Sequence, residues 1–85
     1  MSDNYDRIKS HMTKLPVISG RKLAKALAKT GYLHDYQKGS HIILRHQDPP
    51  HRRLTIPDHK EIAKGTLRHI MKEAGLTLDE LSALL

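Results

Sequence analysis

The stretch QKGSHIILRH, residues 37–46, places an imidazole, His41, directly behind Lys38, Gly39 and Ser40, with Arg45 and His46 at its far end. Breaking an RNA phosphodiester without a metal ion requires three things: a group to take the 2′-hydroxyl proton, a group to protonate the departing 5′-oxygen, and cations to spread the charge on phosphorus. Histidine serves either proton transfer because its ordinary pKa of about 6.5 keeps both protonation states accessible, a contribution of about 10²- to 10⁴-fold per transfer. His41 with Lys38, Arg45 and Arg53 would supply such a set. The same residue types also suit the wet face of an ordinary strand, and glycine with serine is what a hairpin turn favours in any case.

A second candidate is Lys64-Gly65-Thr66. If a helix opens there, its free N–H groups and partial positive charge could hold a phosphate, with glycine permitting close approach and Lys64 alongside. The competing reading is a plain helix cap, with Thr66 as N-cap. From the distribution of charge, His46 and His59 are auxiliary candidates. A metal site is not expected: His41, His46 and His51 recur at intervals of five, which neither a helix nor a strand gathers onto one face, and no H-E-x-x-H pattern occurs.

These residues need elements to position them. Leu23, Leu27 and alanines 24, 26 and 28 make an apolar stripe opposite Arg21, Lys22, Lys25 and Lys29, so a helix is expected over residues 20–30, with Ser19 as N-cap and Gly31 at C′. Three strands follow, over residues 32–37, 41–46 and 53–56. The first two are joined through Lys38-Gly39-Ser40, the last two through a loop whose prolines 49 and 50 cannot enter a ladder. Alternation puts Ile42, Leu44 and His46 on one face of the middle strand and His41, Ile43 and Arg45 on the other. Leu54 and Ile56 likewise oppose Arg53 and Thr55. If the aliphatic side chains pack on helices, His41, Arg45, Arg53 and Thr55 face outward together.

After Pro57, residues Leu67, Ile70, Met71 and Ala74 fall at i, i+3, i+4 and i+7 of a second helix that ends at Gly75. Thr77 and Glu80 have capping-box spacing and open a short third helix bearing Leu78, Leu81, Leu84 and Leu85. The expected class is α+β, a three-stranded antiparallel sheet packed on helices in the order αβββα(α).

Composition bounds the rest. Eighty-five residues suffice for one domain, and with 38% hydrophobic residues and no Phe or Trp the core must be thin and aliphatic. No cysteine is present, which excludes a disulfide framework, a thiolate nucleophile and a thiolate zinc site, and makes the cytoplasm the default location. No stretch has the roughly 18 apolar residues of a membrane span. A net charge of +6 favours polyanions, either nucleic acid or an acidic protein. Residues 1–14 read as a polar, disordered leader outside the fold, and the His11-Met12 junction looks like a cloning scar, so that 1–11 would be tag-derived. Residues 15–85 form the single domain.

Three blocks, SGRKLAKALAKTGY, QKGSHIILRH and LTIPDHKEIAKGTLRHIMKEAGLTLDELSALL, occur in that order. Together they resemble the HicA (YcfA-like) toxins of bacterial and archaeal toxin–antitoxin pairs, over residues 15–85. The resemblance implies a fold similar to the double-stranded-RNA-binding domain and a ribonuclease, or mRNA interferase, that needs no cofactor. It also implies a HicB-type antitoxin as partner. The family's catalytic histidine is the one in its G-S-H block, here His41, with Gly39 and Ser40 shaping the turn and Lys38 contacting phosphate. The expected substrate is single-stranded mRNA, because RNA sequence is read mainly from unpaired bases. The alternative is a non-catalytic module that binds double-stranded RNA or an acidic partner.

Overall fold

A computed structural model describes residues 14–85. The leader read over residues 1–14 therefore lies, but for Lys14, outside the described residues. Among the described residues six elements follow one another: α1 (Gly20–Ala28), β1 (Tyr32–Lys38), β2 (His41–His46), β3 (Arg53–Pro57), α2 (Lys64–Ala74) and α3 (Leu78–Leu84). The fold is α+β in the order αβββαα, consistent with the double-stranded-RNA-binding arrangement, and the sheet is an antiparallel meander ordered β1-β2-β3.

Local chemistry accounts for most boundaries. Ser19 caps α1, its hydroxyl accepting from the Lys22 N–H at 3.1 Å, and Thr77 and Glu80 form the reciprocal capping box that opens α3. Two helix ends differ from expectation. The N-cap of α2 is Ala63, which has no capping side chain, so Thr66 lies inside the first turn. Helix α1 stops at Ala28 with Lys29 as C-cap, and Gly31 stands one residue beyond C′.

The core is almost entirely aliphatic, with Tyr32 its one aromatic member. Leu23, Leu27, Leu44, Ile56, Leu67, Ile70 and Leu81 are fully buried, and no polar or charged residue is buried among the described residues. Leu23 and Leu27 stand one turn apart on α1, while Leu67, Ile70 and Met71 line one side of α2; both stripes close over Ile42, Leu44, Leu54 and Ile56. Each such side chain contributes about 1.5–3 kcal/mol by leaving water, offset by the entropy of ordering the chain. Helix α3 adds Leu81 and is tied to α1 by the Lys29 ammonium, which donates to the Leu84 carbonyl at 2.8 Å, a cation meeting the negative end of a helix. Helices α1 and α2 cover one face of the sheet, and α3 packs on α1. Among the described residues no helix covers the other face, which is called the open face below.

His46 fastens the base of the sheet. Its Nδ1 accepts from the Asp48 N–H at 3.0 Å, which leaves Nε2 to donate to the Thr30 carbonyl at 3.0 Å, and its ring meets Tyr32 edge to face at 4.7 Å. Gly31 makes room for this ring. Its φ is +100°, and a Cβ there would sit 2.7 Å from His46 Nε2. Gly31→Ala therefore combines backbone strain with a clash, and we expect it to cost about 2 kcal/mol and lower Tm by roughly 10 °C. An unchanged melting curve in circular dichroism would contradict this account of the α1–β1 junction.

Candidate active site

The residues that could do chemistry lie on the open face, in three rows set by strand register. His41 pairs with Lys38 on one side and Pro57 on the other; Ile43 pairs with Tyr36 and Thr55; Arg45 pairs with Leu33 and Arg53. Rows two residues apart are separated by about 7 Å along the strands. His41, Lys38, Arg45, Arg53 and Thr55 are all exposed, as alternation required.

The rows exist because β1 carries a bulge. Its register shifts between His34 and Tyr36, so that Asp35 is the extra residue, and everything after it changes face. Without the shift Tyr36 and Lys38 would point toward the helices and Gln37 outward. With it Tyr36 and Lys38 join His41 on the open face, and Gln37 turns inward beside Ile42.

His41 is presented by a two-residue turn, Gly39-Ser40. A φ of +58° at Gly39 but not at Ser40 is the type II′ pattern, whose twist matches the flanking strands. The turn is braced from below. The Gln37 amide donates to the Gly39 carbonyl at 3.1 Å and to Asp58 Oδ2 at 3.0 Å, while the Asp58 N–H donates to the Ser40 carbonyl at 2.7 Å. Arg21, in the first turn of α1, grips the same carboxylate with Nε at 3.1 Å and Nη2 at 3.3 Å. Asp58 thus joins α1, β1, the turn and the exit of β3. The Arg21 guanidinium, then the Gln37 amide, hold its carboxyl below the ordinary value of 3.8, with a smaller contribution from the charge of His59. Arg21 is raised in return by its hydrogen bond to Asp58.

The other candidates are dispersed. Arg45 and Arg53 share the His41 face but stand two rows away, about 14 Å along the strands. Arg53 is also engaged by Asp35, with Nε 3.4 Å from the carboxylate. His46 lies on the opposite face with both ring nitrogens used, a structural role. His59 is exposed at the His41 end, two residues past Pro57, where it lines a cleft of about 340 Å³ with Ser19, Arg21, Asp58 and Lys60. Lys64 opens α2 and, with Lys14, Leu15 and Arg68, lines a separate cleft of about 320 Å³; Gly65 and Thr66 are exposed in that first turn. Among the described residues, no three histidine or carboxylate side chains are grouped to hold a metal ion.

Sequence reasoning missed the brace, because its members are 21 and 37 residues from Asp58 and no local pattern ties them. It also missed the bulge, which left Tyr36 unassigned. The brace has a pH signature. Since the folded carboxyl of Asp58 titrates below its ordinary 3.8, its stabilising contribution is complete above that value and disappears as pH falls through the lowered one. We expect Asp58→Asn to lose the corresponding part of the parent's decline in Tm between about pH 5 and 3, and its Ser40 and His41 amides to exchange faster at neutral pH. Parallel acid limbs for parent and variant would show that the carboxylate does not carry the brace.

The family model describing the HicA toxin of bacterial toxin–antitoxin systems matches residues 20–76, from the first residue of α1 to just beyond α2. The match spans the turn, His41 and all three members of the brace. Among curated proteins, none matches the chain. A family match over well over half of the chain, joined to the αβββαα fold, shows that this protein belongs to the HicA toxin family of bacterial toxin–antitoxin systems.

Proposed function

We propose that the protein is a metal-independent endoribonuclease, an mRNA interferase, in which His41 is the general acid or base. The observation that carries this reading is the exposed imidazole at the head of β2, beside Lys38 on the open face, on a turn braced through Asp58. In the reaction the 2′-oxygen loses its proton and bonds to phosphorus, the P–O5′ bond breaks, and the 5′-oxygen receives a proton. The products are a 2′,3′-cyclic phosphate and a 5′-hydroxyl. His41 carries one of the two transfers, and His59 is the candidate for the other.

Lys38 is proposed to contact the scissile phosphate, with Gly39 and Ser40 letting the backbone approach. Arg45 and Arg53 stand too far along the strands for that phosphate and would meet a neighbouring one. The first turn of α2, where Lys64 lines a cleft beside the exposed Gly65 and Thr66 and the helix begins without a side-chain cap, would hold a more distant part of the strand. The substrate is proposed to be single-stranded mRNA in the cytoplasm, since an exposed sheet face can receive splayed bases that a duplex would keep stacked. Among the described residues no helix is long and apolar enough to cross a membrane.

A toxin of this family has an antitoxin partner. The proposed partner is a HicB-like protein whose acidic surface covers the cationic rows and shields His41, an association steered by complementary charge and weakened by salt.

The test is cleavage of purified RNA in EDTA by the parent and by His41→Ala. Loss of one proton transfer should lower the rate at least 100-fold, with melting unchanged because the side chain is exposed. Cleavage by His41→Ala at the parent rate would remove the assignment. Binding of duplex RNA by both proteins, without cleavage by either, would instead favour the non-catalytic RNA-binding module that the fold also accommodates.

A further inference from the structure

We infer that Tyr36 is a stacking platform for an unpaired base of the RNA strand held at His41, and so a substrate-binding residue. The inference rests on the nuclease reading above and deepens it. Tyr36 is 48% exposed, the one aromatic ring among the exposed large hydrophobic side chains of the described residues. It stands on the open face only because of the bulge at Asp35; regular alternation would have turned it toward the helices. Bulges re-aim side chains in this way beside functional sites.

Placement is specific. Tyr36 is the residue diagonal to His41 across the β1–β2 pair, about 7–8 Å away, a distance that an aromatic side chain spans. Ile43 and Thr55 complete its row, so that an aliphatic side chain is its neighbour across the strands. Lys38 in the row above and Arg45 in the row below flank it with positive charge. A base has a π-face and its backbone is anionic, so a ring between two cations fits a nucleotide strand. The side-chain order along the face, cation and imidazole, then ring, then cation, is what holding a phosphate and its adjacent base would need.

The substitutions Tyr36→Phe and Tyr36→Ala separate this role from a structural one. The probe is a short oligoribonucleotide made uncleavable by 2′-O-methyl groups, with binding followed by fluorescence anisotropy, beside cleavage kinetics on the unmodified strand. Tyr36→Phe keeps the π-face and should bind like the parent. Tyr36→Ala should bind about tenfold more weakly and raise KM with little change in kcat, while melting as the parent does. Introducing abasic positions along the probe should remove the difference between parent and Tyr36→Ala at one position. Equal binding by all three proteins to an RNA that the parent cleaves would overturn the platform while leaving the nuclease reading intact. Failure of the parent to cleave RNA, with His41→Ala indistinguishable from it, would remove the nuclease reading itself and this inference with it.

Discussion

A β-strand offers each side chain one of two faces, and in this molecule one face must be given wholly to the core. Helices α1 and α2 close over Ile42, Leu44, Leu54 and Ile56, and the polar side chains of β2 and β3, His46 apart, lie on the other side. No buried polar group interrupts that arrangement among the described residues. The extra residue near Asp35 then decides which β1 side chains join the open face. Lys38 and Tyr36 reach the His41 side, and Gln37 reaches the helix side, through this single shift.

That division creates a requirement for bracing. A two-residue turn at the end of a three-stranded sheet is held only by its own ladder unless something packs beneath it. Gln37, placed inward by the bulge, and Asp58, at the exit of β3, supply the missing contacts to Gly39 and Ser40, and Arg21 ties them to α1. The ion pair is open to solvent on the Arg21 side, so its contribution to global stability is small. Its value lies in position: Arg21 of α1 and Gln37 of β1 meet on the carboxylate at the exit of β3, whose own backbone N–H holds the turn that leads into the residue proposed to do chemistry. A turn held this way leaves the backbone at His41 less motion to lose on meeting a phosphate.

Much of this was legible beforehand. Helix periodicity, the Ser19 cap, the Thr77–Glu80 capping box and the alternation of β2 and β3 each rest on contacts within a few residues, and each appears where the pattern placed it. The outward placement of His41, Arg45, Arg53 and Thr55 followed from a period of two. The misses have a common cause. Thr66 resembles a cap, but the chain before it enters helical geometry at Lys64, and tertiary packing of Ile62 beside Ile18, with N–H to carbonyl at 2.9 Å, sets the start. His46 looks like an auxiliary catalyst in a basic stretch, yet its ring fills the space left by Gly31 and spends both nitrogens on backbone groups.

By itself the amino-acid order determined the class of the fold, the sequence of its elements and the presence of an exposed histidine beside a lysine, because these depend on local propensity and on hydrophobic periodicity. Only the tertiary structure decided which cations stand near that histidine and which stand two rows away. It alone exposed the shift that turns Tyr36 outward and the carboxylate that braces the turn. The physical reason is distance along the chain: Arg21, Gln37 and Asp58 meet through folding, and a strand bulge is stabilised by what packs on either face, so neither is written in any short stretch of sequence.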